Sequence, residues 1–250
     1  MNHDKHVMRI ISTANFLGKV LLMSGAETHR VEQSISKVCQ RFGLRSESFV
    51  TTTCVLTSAK KQNGEIVTEL NRVYNLSNNL NKIDKIHTIV LNIENYDLEA
   101  LESEIKKIQS ESIYRSYIIL ISYFFAAAFF ALLFKGSFLD AIVAGFGGAF
   151  IFYMMRFASK IKVNNFFINT LGGFIVTIFA AFVKKINIIE NASYSTIAIL
   201  MLLVPGLALT NAIRDLINGD FIAGNSRMVE AFLIGGALAI GTGFGLAIAY

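Results

Sequence analysis

The sequence predicts a membrane protein in which a cytoplasmic N-terminal α/β domain is followed by a bundle of five transmembrane α-helices. Three observations lead there. Hydrophobic residues make up 53% of the 250 and mean hydropathy is +0.51, above what a soluble fold normally carries. Charge is unevenly spread: residues 1–115 hold 15 Lys/Arg and 13 Asp/Glu, against 8 and 5 in residues 116–250. That contrast divides the chain into a polar domain, 1–112, and a membrane domain, 113–250. The second part holds apolar segments at about 117–134, 138–155, 166–183, 194–212 and 229–250. Each has ~18 residues or more, enough for a hydrocarbon core of ~30 Å at ~1.5 Å per residue.

Within the polar part, Val7, Ile10, Ile11, Ala14, Leu17 and Leu21 recur at helical spacing, interrupted by Arg9, Asn15 and Lys19. This reads as an amphipathic helix, too polar to span a bilayer, that ends at Ser24-Gly25. Glu27 opens a second helix with an apolar face of Val31, Ile35, Val38 and Phe42, stopped by Gly43. Two strand runs follow, Ser48 to Ser58 and Ile66 to Tyr74, with Asn63-Gly64 between them as the hairpin signal. Asp84 to Asn92 and Leu98 to Ile108 read as two further helices.

Orientation follows from the flanking basic residues. Lys106, Lys107, Arg115, Arg156, Lys160, Lys162, Arg214 and Arg227 fall on one side of the expected spans, and Lys135, Lys184 and Lys185 on the other. The bias places the N-terminal domain in the cytoplasm and the C-terminus outside. The opening residues lack an uninterrupted apolar run and a small-residue cleavage site, so no cleaved signal peptide is expected. The net charge of +5 is accounted for by these flanks and does not imply nucleic acid. Cys39 and Cys54 have no metal-type spacing and lie in a reducing compartment, so neither a disulfide nor a metal is expected.

The expected spans are built for contact. The last carries two rows of small residues at four-residue spacing: Ala231, Gly235, Ala239, Gly243 and Ala247, and Ala237, Gly241, Gly245 and Ala249. Close backbone approach on two faces suits a packed bundle together with another subunit.

Two polar stretches stand out. The first, Ser24 to Glu32, crowds Ser24, Glu27, Arg30 and Glu32 at a helix start. The second, 204–231, lies between apolar segments. It contains Pro205, Gly206, Gly219 and Gly224 and the charges Arg214, Asp215, Asp220, Arg227 and Glu230. If 207–216 is helical, Thr210 neighbours Arg214, and Asn211 neighbours both Arg214 and Asp215, giving a polar face at the membrane edge. The chain has no His-Glu-x-x-His, no glycine-rich phosphate loop and no nucleophile elbow. Neither a cofactor nor enzyme activity is expected.

These stretches resemble the threonine/serine exporter family and the related two-subunit succinate exporters. The family's early motif SGAET-x-RVE stands at Ser24 to Glu32, and its motif PG-x-x-x-TNAIRDL-x-x-GD-x-x-x-G-x-x-R-x-x-EA at Pro205 to Ala231. The resemblance implies a bacterial inner-membrane, multi-pass exporter of small amino or carboxylic acids driven by the proton gradient. Single-chain relatives carry a second membrane half that is absent here. It therefore implies a larger subunit that works with a smaller membrane subunit, or else a homo-oligomer.

An exporter needs a cation or a helix N-terminus for the substrate carboxylate. The expected substrate site is Arg214 for that carboxylate, Asp215 for a charge balance or an amino group, and Asn211 and Thr210 as hydrogen-bonding groups. Pro205-Gly206 would open the helix before the cluster. Ser24, Glu27, Arg30, Glu32, Pro205, Gly206, Asp220, Arg227 and Glu230 are assigned to a gate or recognition patch. Two rival readings are a membrane-tethered hydrolase, with Ser24 as nucleophile and Glu27 or Glu32 as base, and a purely structural assembly subunit.

Overall fold

A computed structural model describes residues 2–61, 64–111, 114–161 and 164–249. The chain divides into two compact units, Met1–Ile113 with Leu207–Val229, and Tyr114–Gly206 with Glu230–Tyr250.

The first unit is built around α1 (Asn2–Met23) and α2 (Thr28–Arg41). Buried residues occupy more than one face of α1: Ile10, Ile11, Ala14, Leu17, Leu21 and Leu22 have almost no exposed surface. At Gly18 a Cβ would come within 2.9 Å of Ile35 Cγ1, so the missing side chain sets how closely α1 and α2 pack. A three-stranded antiparallel sheet follows, β1 (Ser46–Thr51), β2 (Cys54–Lys60) and β3 (Ile66–Arg72), in the order β1-β2-β3. Its inner face presents Val50, Val55, Thr57 and Ala59. Two helices, α3 (Leu80–Leu91) and α4 (Leu98–Ser110), supply Ile83, Ile86, Leu101 and Ile105 to the same core. Asn79 caps α3 by accepting from Lys82 N at 3.1 Å, and Asp97 caps α4 by accepting from Ala100 N at 2.7 Å.

The run expected as one strand over Ser48 to Ser58 is two strands. Thr52 and Thr53 turn the chain back on itself, so Thr51 faces Cys54 and Val50 faces Val55. The turn has no glycine to mark it. Thr51 Oγ1 accepts from Thr53 N at 3.4 Å, a local side-chain bond that β-branched composition conceals. The second turn, expected at Asn63-Gly64, falls partly outside the described residues, which include Gly64 at φ +88° but not Gln62 or Asn63. The third helix starts four residues earlier than expected, because Asn79 rather than Asp84 provides its start.

Leu207–Val229 also belongs to the first unit. It contains most of α9 (Gly206–Ile217), a turn at 218–220 with Gly219 at φ +91°, and the first turns of α10 (Phe221–Ala249).

The second unit contains α5 (Ser116–Leu133), α6 (Phe138–Ile161), α7 (Asn165–Lys185), α8 (Ala192–Leu200) and the rest of α10. Among the described residues four helices, α5, α6, α7 and α10, are long and apolar enough to cross a membrane. The expected fifth span over 194–212 is interrupted. It consists of α8 and α9, separated by turns at 201–204. Pro205 has no N–H and disfavours helical geometry at Val204, so the hydrogen-bond ladder stops there. Close approach uses small residues throughout: a Cβ at Gly148 would sit 2.5 Å from Tyr123 O, and one at Gly173 would sit 2.7 Å from Leu238 O. The two small rows of α10 differ. Gly241 and Gly245 lie against backbone and side-chain atoms of α7, whereas Gly235 and Gly243 meet nothing within 4 Å.

Candidate functional site

The α1–α2 turn is the foundation of the site. After Met23 the chain reverses through Gly25 at φ +89°, a conformation costly for a residue with a Cβ, and a Cβ there would also lie 2.8 Å from Ser77 O. The segment before α3 holds the turn in place. Ser77 N donates to Met23 O and Asn79 N to Ser24 O, both at 2.9 Å. Two turn carbonyls then face elements far along the chain: Gly25 O accepts from Asn211 Nδ2 at 2.9 Å, and Ala26 O from Arg227 Nη2 at 2.8 Å.

The N-terminus of α2 has no side-chain cap of its own, since Glu27 at the cap position makes no such bond. Asp215 supplies it from α9. Its Oδ1 accepts from Thr28 N at 3.2 Å and lies 2.9 Å from Thr28 Oγ. Such a placement also sets a carboxyl group against the positive end of the helix dipole. Asp220 Oδ2 lies 2.8 Å from the same Thr28 Oγ. Arg227 Nε stands 3.4 Å from Asp215 Oδ2, with both side chains almost fully enclosed, 5% and 0% exposed. Burial pushes the Asp215 carboxyl above its ordinary range and the Asp220 charge adds to this, while Arg227 and the Thr28 hydrogen bonds oppose it. Glu32 accepts from Val50 N at 2.9 Å. Its carboxyl is also raised, chiefly by burial and further by Asp220 and Asp215; the Val50 hydrogen bond and His29 act in the other direction.

Beside this buried knot lies a cavity of about 120 Å³ lined by Ser24, Glu27, Arg30, Asn78, Asn211 and Arg214, with Leu80, Ile83 and Leu207 as apolar wall. That is room for a few waters or one small solute. Arg214 Nη1 pairs with Glu27 Oε1 at 2.5 Å, with Arg214 57% exposed and Glu27 19%. Arg30 is exposed and has no side-chain partner among the described residues. Two guanidinium groups and one carboxylate thus meet at one small space. That charge set suits a zwitterion or a short carboxylic acid.

The structure brings together Ser24, Glu27, Arg30, Asn211 and Arg214 at the cavity, and Asp215, Asp220 and Arg227 behind it. It does not bring Arg214 and Asp215 to one face. Consecutive residues are about 100° apart on a helix, and Asp215 points inward to α2 while Arg214 stays at the cavity. Thr210 is exposed and off the cavity wall, and so is Glu230, which belongs to the second unit with Pro205 and Gly206. Ser24 donates its hydroxyl to Val20 O at 2.7 Å, and neither Glu27 nor Glu32 is bonded to it. The hydrolase arrangement is therefore not assembled in this conformation. Thr28 and Asn78 belong to the site but lie outside the set expected from the sequence. Thr28 had a signal, as a hydroxyl residue at a helix start inside the first motif; Asn78 had none.

The sequence pattern of the threonine/serine exporter family (ThrE) matches residues 12–249. A protein of Escherichia coli (strain K12) named "Probable succinate transporter subunit YjjP" is 23% identical over 92% of this chain and 91% of its own length. Its namesake in Klebsiella aerogenes is 24% identical over 88% of this chain and 86% of its own. A threonine/serine exporter of Corynebacterium glutamicum is 22% identical over 98% of this chain but 52% of its own length, so this chain spans about half of that protein. No solved structure matches the chain.

Proposed function

Because the chain belongs to the threonine/serine exporter family, we propose that it is the site-bearing subunit of a bacterial inner-membrane exporter of a small amino or carboxylic acid. In this reading the first unit, with its small sheet, is the cytoplasmic α/β domain, and the substrate enters from that side. The proton gradient drives export. A smaller membrane subunit completes the transporter, in keeping with the word "subunit" in the YjjP names.

One observation carries the reading. Two polar stretches about 180 residues apart converge on one small charged cavity, through Arg214 with Glu27 and Asn211 with Gly25 O. Arg214 and Arg30 receive the carboxylate; Glu27 exchanges Arg214 for the amino group of a zwitterion. Asn211 orients the turn, and the Pro205-Gly206 interruption lets α9 belong to the polar unit. The second, purely structural reading predicts no dependence of export on these side chains.

The test is accumulation of intracellular threonine, serine and succinate in cells lacking the chain, complemented with variants. Arg214→Ala should abolish complementation while membrane insertion and complex assembly persist. Lys at position 214 should restore little, because an ammonium lacks the planar fork of a guanidinium. Full export by Arg214→Ala would refute the site.

A further inference from the structure

We infer that Asp215 is a proton-binding residue whose neutral form ties the α9–α10 turn to the N-terminus of α2, donating its hydrogen to Thr28 Oγ while Thr28 passes its own to Asp220. A threonine hydroxyl has one hydrogen to give, yet Thr28 Oγ has carboxyl oxygens at 2.9 Å on Asp215 and 2.8 Å on Asp220. With both carboxyls ionised, one of these contacts is two lone pairs facing each other. One added proton makes both contacts hydrogen bonds, in the chain Asp215 Oδ1–H to Thr28 Oγ–H to Asp220 Oδ2.

The proton belongs on Asp215 by burial and by the behaviour of its neighbour. Asp215 is fully enclosed, whereas Asp220 is half-buried, so water supports charge on Asp220 better. Arg227 would bond a buried carboxylate closely and in a bidentate manner. Instead Nε stops at 3.4 Å from Asp215 Oδ2, neither atom has a hydrogen bond, and Nη2 donates to the neutral carbonyl of Ala26. The charged groups facing Asp215 are Arg227 from α10, Asp220 from the turn before it, and Glu32 from α2, where His29 acts on Glu32. Burial of Asp215, the largest effect, and the Asp220 charge favour the neutral form; Arg227 and the Thr28 hydrogen bonds oppose it.

Loss of the proton would leave two anions sharing one hydroxyl hydrogen. Asp215 then draws Arg227 into a close pair, Asp220 is released, and the turn at Gly219 is free to move. Thr28 directly follows Glu27, and Asp215 directly follows Arg214, so the proton site and the cavity share both backbones. The link to export rests on the function proposed above; the proton site does not.

The test uses the purified full-length chain and infrared difference spectroscopy across pH. At neutral pH the wild type should show the C=O band of a protonated carboxylic acid. Asp215→Asn should lose it, Thr28→Val should shift it by removing the hydrogen-bond acceptor, and Asp215→Glu should retain it at a changed position. Glu32→Gln identifies any separate contribution from Glu32. Absence of the band in the wild type overturns the inference, as does a band that Asp215→Asn leaves intact or that Asp220→Asn alone removes. If Asp215→Asn does not fold, the Asp215→Glu and Thr28→Val shifts decide. A band assigned to Asp215 in a protein that exports nothing would refute the transport reading while leaving the proton site in place.

Discussion

Replacing Gly241 with alanine places one methyl group where α10 crosses α7. The new carbon would overlap Thr170 O and stand 2.8 Å from Thr170 C and 3.0 Å from Phe174 N, against the 3.4 Å at which ordinary contact begins. All three neighbours are backbone, so no rotamer change relieves the overlap and the helices must separate along this seam. Overpacking of this kind costs about 1–3 kcal/mol. At Gly243 the same methyl meets nothing within 4 Å, and alanine in place of glycine inside a helix contributes about 0.5–1 kcal/mol of stabilisation. The two variants differ by one methyl at positions two residues apart, yet their stabilities should move in opposite directions. Unfolding of the purified chain in mixed micelles, followed by circular dichroism against increasing SDS, reads the difference. Equal stability of Gly241→Ala and Gly243→Ala would refute the α7–α10 packing. Under the two-subunit proposal, Gly243→Leu should then impair recovery of a complex while leaving the chain itself folded.

Other expectations concern the polar unit and the membrane orientation. Thr28→Val removes the hydroxyl between two carboxyls but keeps the backbone N–H to Asp215, and should cost about 1–3 kcal/mol in denaturant unfolding. The Asp215 carboxyl is raised by burial above its ordinary value of 3.8, so the folded state binds more protons than the unfolded state between those two values. Its contribution to stability is therefore fully present below about pH 4 and lost as pH rises through the folded pKa; Asp215→Asn should flatten that part of the profile. Cysteines placed at Phe138 and Glu190 in a cysteine-free background should react with an impermeant reagent from outside the cell, and one at Asn218 should not. The opposite pattern would reverse the orientation drawn from the basic residues.

Local chemistry made much of this protein legible in advance. Long apolar segments must lie in lipid or a core whatever they pack against, so α5, α6, α7 and α10 could be read from composition alone. Glycine and proline act on their own backbone, which is why the ends of α1 and α2 at Gly25 and Gly43, and a helix break before Gly206, were also readable. What the break would do was not: Pro205 splits an expected span and passes α9 to the polar unit. The Thr52-Thr53 turn was hidden because threonine serves strands and turns alike. The motif residues themselves were visible, but not their division of labour. Helical periodicity puts Arg214 and Asp215 near one another without saying which one meets a neighbour. The fold decides this by bringing the N-terminus of α2 against α9, where Asp215 becomes its cap and Arg214 remains at the cavity. That choice depends on contacts between residues 187 positions apart, and no local preference of either segment contains it.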